Sequence, residues 1–233
     1  MKYLAMDDLL KNLQISVSSN LYLKDPESSE LGRKIIGMGI ILIDKVGFEK
    51  FTFKKLGEKI QSNESSVYRY FENKHSFLVY ITNWFWGWKG YQLALSTYGI
   101  DNVEKKLLKA VEVIAHPVEE DMRFKHINEV ALNNIIINES SKSYLTKKVD
   151  EENEHGHFIL YKNLVNRISK MISEVDPDYQ YPFSLATTII DGSLHQHFLS
   201  KHFSSISDCT HEITPSIYFK NMVSSLLNTK NGK

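Results

Sequence analysis

Between Thr52 and Lys74 the chain carries a run of polar side chains whose types suit contact with a polyanion. Ser65, Ser66, Tyr68, Arg69 and Tyr70 offer hydroxyls and one guanidinium within six positions. Thr52, Lys55 and Lys74 add a hydroxyl and two ammonium groups, and Glu64 adds a carboxylate. Hydroxyls and cations bond phosphate oxygens, which positions a protein on a duplex, and a Glu can accept from a cytosine amino group. The chemistry on offer is recognition. Bond-making chemistry has no comparable set: there is no Gly-x-Ser-x-Gly, no Gly-rich phosphate loop and no His-Glu-x-x-His, and Cys209 lies in a polar run without an adjacent base. We therefore expect no enzyme activity and no cofactor. His195, His197 and His202 lie near one another, with His155 and His157 elsewhere, but none has a Cys or acidic partner at ligand spacing, so no metal site is expected.

The elements that must hold these groups follow from the pattern around them. Thr52 is a good N-cap, and Phe51 with Leu56 has the spacing of a hydrophobic staple. Leu56 and Ile60 give a short helix one apolar stripe. Gly57 leaves room for a second helix to cross closely. Gln61-Ser62 breaks the pattern, Asn63 can cap the next helix, and that helix would bury Val67 and Phe71 while turning Ser65, Ser66, Tyr68, Arg69 and Tyr70 outward. A short second helix with hydroxyls and an Arg on its free face fits the major groove of DNA.

The whole chain has 233 residues, 28 basic against 28 acidic side chains, and one Cys. Neutrality argues against a nucleic-acid binder, but distribution matters more. From Leu31 to Asn83 there are nine cations against five anions, a modest local excess that permits phosphate contact. A single Cys excludes a disulfide framework and suits a reducing compartment. The acids Asp7 and Asp8 stand where a signal peptide needs apolar residues, and no apolar run approaches the length of a membrane span. A cytoplasmic protein without membrane contact is expected. Pro and Gly are scarce and β-type runs few, so helices should dominate.

Along the chain, residues 12–24 alternate Ile15, Val17, Leu21 and Leu23 in the manner of a short extended segment. Asp25-Pro26-Glu27 predicts a helix start, followed by a stripe of Leu31, Ile35, Met38, Leu42 and Val46 that ends at Gly47. Asn73 caps a long helix through Phe77, Ile81, Trp84, Trp88 and Tyr91 towards Gly99. Asp101 with Glu104 reads as an acidic capping box for a helix ending near His116-Pro117. Phe124–Asn138 is apolar, 139–157 polar, and Phe158–Val175 amphipathic. Phe183–Phe203 reads as a helix interrupted by Gly192, and Thr214-Pro215 starts a final helix. These elements give an all-α fold: an extension over residues 1–25, a helix-turn-helix DNA-binding domain over 26–81, and a helical ligand-binding and dimerisation domain over 82–233.

A helix, a short helix-turn-helix and then Tyr-x-x-Phe-x-x-Lys opening a long helix resembles the TetR family of bacterial transcriptional regulators. The matching residues are Gly47-Phe48, Phe53, Leu56, Ile60, Val67, Tyr68, Tyr70, Phe71, Asn73 and Lys74, within Leu31–Ile81. The turn departs from the family, whose usual Gly and apolar residue are here Gln61 and Ser62. Glu64 stands where a small or basic residue is usual. The resemblance implies a homodimer on a palindromic double-stranded operator, phosphate contacts by Tyr68 and Lys74, a dimer contact from the last two helices, and control by a small molecule.

For that effector the sequence offers an aromatic set: Trp84, Trp88, Tyr91, Phe124, His126, Phe158 and Tyr161. Cores are built from the same residue types, so each has a plain packing explanation beside the functional one. Few fixed charges there favour an apolar or amphipathic molecule. The expected function is a ligand-responsive regulator, acting as a repressor. The rival is an interaction protein on the same scaffold whose DNA binding has decayed, motivated by Gln61, Glu64 and zero net charge.

Overall fold

The computed structural model describes residues 15–121, 123–210 and 212–227. Of the expected extension over residues 1–25, and of the extended segment over 12–24, residues 1–14 and 12–14 respectively lie outside the described residues. The fold is all-helical, and no strand occurs among the described residues. The helices are α1 (Glu30–Val46), α2 (Phe53–Lys59), α3 (Glu64–Tyr68), α4 (Lys74–Thr97), α5 (Val103–Ala115), α6 (Glu129–Glu139), α7 (Ser141–Tyr144), α8 (Val149–Glu154), α9 (Ile159–Val175), α10 (Pro182–His202) and α11 (Pro215–Leu226).

The chain divides into two compact units. The first takes the described residues up to Gly87 together with Glu119–Ile135 and Ser143–His157. The second takes Trp88–Val118, Ile136–Lys142 and the residues from Phe158 on. Helix α4 therefore supplies residues to both.

In the first unit the core is aromatic. Phe77 stacks on Phe51 at 5.5 Å between ring centroids and meets Phe71 edge-on at 5.0 Å. The Phe77 ring lies against Gly39 of α1, where an added Cβ would collide with its Cζ. Ile35, Ile36, Ile40 and Ile43 of α1 are fully buried around it. Helices α2 and α3 also meet through a glycine: a Cβ on Gly57 would lie 3.0–3.1 Å from backbone atoms of Ser62, Asn63 and Glu64. The Thr52 and Asn63 caps form as expected, accepting from Lys55 N at 3.2 Å and Ser66 N at 2.9 Å.

The turn between α2 and α3 has a specific geometry. Ser62 N donates to Gly57 O at 2.8 Å and Gln61 N to Glu58 O at 3.2 Å. This is a Schellman motif with Gln61 at the left-handed position, φ 57°, where glycine is usually found. A side chain at that angle crowds the following carbonyl oxygen.

Four expectations about elements are corrected. Asp25 caps only a 3₁₀ turn, Pro26–Ser28, and Ser29 caps α1 itself by accepting from Gly32 N at 3.1 Å. The 3₁₀ turn packs so closely that a Cβ on Gly32 would meet Pro26 O. Residues 15–18 are irregular and lead into a 3₁₀ turn, Ser19–Leu21, because the apolar alternation buries Ile15 and Val17 without a strand to pair with. The cap of α5 is Asn102, not Asp101, accepting from Lys105 N at 2.8 Å. Gly192 does not interrupt α10: the helix continues, and the Phe219 ring of α11 occupies the space of the missing side chain, 2.8 Å from a built Cβ.

In the second unit α5 packs with α9, α10 and α11, and α10 also packs with α9 and α11. Leu107, Val111, Ile168, Ile172, Ile189, Ile190 and Val223 fill that core. Phe183, Ile217, Tyr218 and Leu226 of α10 and α11 are 40–57% exposed.

Two glycine substitutions separate packing from backbone strain. Gly39→Ala should destabilise the protein by about 1–3 kcal/mol, because the Phe77 ring must leave its place. Gln61→Gly should stabilise it by about 0.5–1 kcal/mol, the relief of left-handed strain exceeding the added unfolded-state entropy. Urea unfolding of both variants decides; a neutral Gly39→Ala or a destabilising Gln61→Gly would contradict these assignments.

Candidate nucleic-acid interface and ligand groove

Helices α2 and α3 present one polar face. Thr52, Lys55, Ser65, Tyr68 and Arg69 are exposed, and Glu64 and Ser66 are half-buried. Tyr68 is 47% exposed and its ring rests edge-on against Phe53 at 5.0 Å, so its hydroxyl is carried on a packed base. Lys55 Nζ donates to Lys50 O at 2.8 Å, and the hydroxyls of Ser65 and Ser66 both donate to Asn63 Oδ1 at 2.7 Å. The two serine hydroxyls of α3 are thus engaged by the cap of their own helix.

Two residues of the predicted set lie differently from expectation. Tyr70 is not outward: it is 3% exposed, its hydroxyl is 2.9 Å from Ser29 Oγ, and Lys24 Nζ lies 5.2 Å from its ring centroid. Helix α3 ends at Tyr68, and the chain then turns, which carries Tyr70 inward beside Phe71. Lys74 is half-buried. Its ammonium donates to Phe48 O at 3.3 Å and Glu49 O at 3.4 Å and sits 4.7 Å from the Phe48 ring centroid. It ties the start of α4 to the loop after α1.

The aromatic set is not gathered into one compact unit. Trp84, Phe124 and His126 belong to the first, and Trp88, Tyr91, Phe158 and Tyr161 to the second. Trp84 is 1% exposed and packed edge-on to Phe124 at 5.1 Å, so it is core. Trp88 is equally buried. Tyr91 and Phe158 are half-buried, and Tyr161 donates to both carboxylate oxygens of Asp191 at 3.1 Å.

Phe124 and His126 do line a groove of about 480 Å³ within the first unit. It is lined by α1, through Met38 and Ile41, and by residues 120–121 and 124–129. His126 Nε2 lies 2.9 Å from Glu27 Oε1, and His126 O is so close to Gly37 that no Cβ would fit there. Glu129, 1% exposed, is among the residues that line the groove. Its Oε2 accepts from Asp121 N at 3.1 Å, while Oε1 is buried without a hydrogen-bond partner. Burial first, then the nearby acids Asp121 and Glu120, pushes the Glu129 carboxyl up to about 7 against the hydrogen bonds that favour its charged form. A second cleft of about 460 Å³ in the same unit contains His75, whose Nε2 is 2.7 Å from Glu152 Oε1.

No protein-family model and no curated protein matches this sequence. Solved structures do. AibR in complex with isovaleryl coenzyme A and operator DNA is similar with a TM-score of 0.57 and 16% identity, over 83% of this chain and 97% of that one. The fatty acid degradation regulator FadR from Bacillus halodurans is similar with a TM-score of 0.56 and 15% identity, over 86% and 96%. The superantigen PfiT is similar with a TM-score of 0.57 and 14% identity, over 90% and 100%. The chain has their fold. Proteins described as an operator-bound regulator and as a superantigen share it, so the fold alone does not fix an activity.

Two groups have no place in the sequence reading. Glu129 follows Asn128, which caps α6 by accepting from Ala131 N at 2.7 Å, so in sequence it looks like an ordinary acid on a first helical turn. Lys89 is 4% exposed in the second unit, donates to Val113 O at 3.1 Å, and is pushed down to about 8 by burial. A lone Lys within the apolar run Trp84–Tyr91 was its only signal. Among the described residues no group of three His, Cys, Asp or Glu side chains is placed to hold a metal ion. His195 and His202 both pack on the Phe198 ring, at 6.3 and 4.7 Å, and among the described residues no helix is long and apolar enough to cross a membrane.

The raised Glu129 carboxyl has a measurable consequence. Its folded value of about 7 lies above its ordinary 4.5, so the native state binds the extra proton between these values. Stability is therefore lost as pH rises from about 4.5 through about 7. Glu129→Gln removes the titration: the variant should match the wild type near pH 4.5 and exceed its stability by about 1–3 kcal/mol at pH 8. Urea midpoints at the two pH values check this; a difference that does not change with pH would contradict it.

Proposed function

We propose that the chain is a ligand-responsive transcriptional regulator of the TetR type, without enzyme activity, that works in the cytoplasm as a repressor. The observation that carries the reading is the α2–α3 pair: the two short helices meet closely at Gly57 and leave Lys55, Ser65, Tyr68 and Arg69 exposed and Glu64 half-buried. One such face reads only a few base pairs, so a homodimer on a palindromic operator is needed for useful specificity. The exposed Phe183, Ile217, Tyr218 and Leu226 on α10 and α11 support that dimer, since monomers rarely leave such apolar groups open together. AibR, of similar fold, was solved with isovaleryl coenzyme A and operator DNA, which supports an effector and a DNA site on one scaffold. An effector acts by preferring one of two conformations, and a preference of roughly 1–3 kcal/mol changes operator affinity about 5- to 150-fold.

Specific observations favour the rival, an interaction protein with decayed DNA binding. Tyr70 is buried, Lys74 is engaged with backbone carbonyls, and the two serine hydroxyls of α3 are turned to Asn63. DNA selection with the purified protein at stated salt separates the two readings. The regulator should select a palindrome and lose affinity steeply with salt. Arg69→Ala should weaken all sequences, and Glu64→Ala should alter base preference at one position per half-site. Salt-independent or absent DNA binding, or a protein that sedimentation finds monomeric at micromolar concentration with and without DNA, would leave the rival.

A further inference from the structure

We propose that the groove lined by α1 and by residues 120–121 and 124–129 is a binding site for an organic ammonium group on a short apolar body, with Glu129 as its counter-ion. The inference rests on ligand-responsiveness only for its consequence at DNA; the binding itself is argued from the groove.

The first reason is the unsatisfied oxygen. A buried carboxylate with an unpartnered oxygen costs free energy that a donor would recover. The other acids there already have donors. Asp121 receives Arg123 Nε and Nη2 at 2.6 Å, and Glu120 receives Asn128 Nδ2 at 3.1 Å. Only Glu129 Oε1 among them is buried and bare.

The second reason is the sign of the local charge. The cations facing the groove are Arg33 and Lys34 on α1 and Lys125 with His126 opposite. Arg33 donates to Glu27 O, and His126 is held by the Glu27 carboxylate. Lys34 and Lys125 are exposed. The charged groups that act on the Glu129 carboxyl are Asp121 and Glu120, both acids. An incoming carboxylate would meet like charge at Glu129. A neutral alcohol could offer one hydrogen bond, while an ammonium offers a charge-assisted one and keeps Glu129 ionised.

The third reason is the wall. Met38, Ile41, Phe124 and Ile127 give the groove an apolar lining beside Glu129. Such a lining suits a chain of several methylenes carrying one polar head.

The test is calorimetric titration of the full chain at pH 7 and fixed ionic strength with hexylammonium chloride, 1-hexanol and sodium hexanoate. Hexylammonium should bind about tenfold or more tightly than hexanol, and hexanoate least. Glu129→Gln, which keeps the side-chain shape, should cut hexylammonium affinity about tenfold and leave hexanol unchanged. Ile41→Ser, at a partly exposed wall position, should weaken both ligands. No saturable binding of hexylammonium at low millimolar concentration, affinity untouched by Glu129→Gln, or a preference for hexanoate would overturn the site. If Glu129→Gln does not fold, the ranking of the three ligands on the wild type still decides. Operator affinity measured with saturating hexylammonium is a separate arm. Binding with unchanged operator affinity supports the site and overturns only its role as the effector site.

Discussion

The Phe77 ring against Gly39 is the contact on which the first unit depends. It places an aromatic side chain of α4 directly on the backbone of α1, and Phe51 and Phe71 close around the same ring. Each of these residues comes from a different part of the chain: α1, the loop before α2, the turn after α3, and α4. A side chain on Gly39 would push the ring outward, and the rings stacked on it would lose their partner. Because protein interiors are close-packed, such a displacement is not absorbed locally. The polar face of α2 and α3 is therefore only as well ordered as this buried aromatic group.

The same unit combines tight packing with local cost. Gly57 allows the two short helices to cross at backbone distance, and neither is long enough to be stable by itself. Their order comes from caps at Thr52 and Asn63, from Leu56 and Val67 in the core, and from the Schellman turn. Gln61 occupies the left-handed position of that turn at an energetic penalty. The turn's hydrogen bonds hold it there, and a glycine would meet the same geometry without strain. We have no physical account of why Gln stands there.

Polar burial follows a different logic in the groove. Some buried polar groups find partners: Glu27 with His126, and Lys89 with Val113 O. Glu152 bonds His75 through Oε1, while its Oε2 is buried without a partner. Glu129 has one hydrogen bond and one bare oxygen. A carboxyl in that state shifts towards its protonated form, since a buried charge without a counter-ion is costly. A ligand cation is one remedy and a bound proton is another, so ligand and pH act on the same atom.

The amino-acid sequence determined the all-α class, the α2–turn–α3 pattern, the caps at Thr52, Asn63 and Asn73, and the final helix at Thr214-Pro215. Those features rest on neighbours within four or five positions, where spacing alone sets which groups meet. Gly57 was legible for the same reason: a glycine at a helix crossing leaves a local gap. Tertiary structure decided the rest. Tyr70 turns inward, where its hydroxyl pairs with that of Ser29, 41 positions away. Gly192 stays helical because Phe219 fills its space. Trp84 in sequence suits a core or a cavity wall alike, and its place against Phe124 is set by the fold. Glu129, an ordinary first-turn acid in sequence, is buried in the fold, on a groove it shares with residues of α1. In each case the deciding partner is distant in the chain, and side-chain type carries no record of which distant group will arrive.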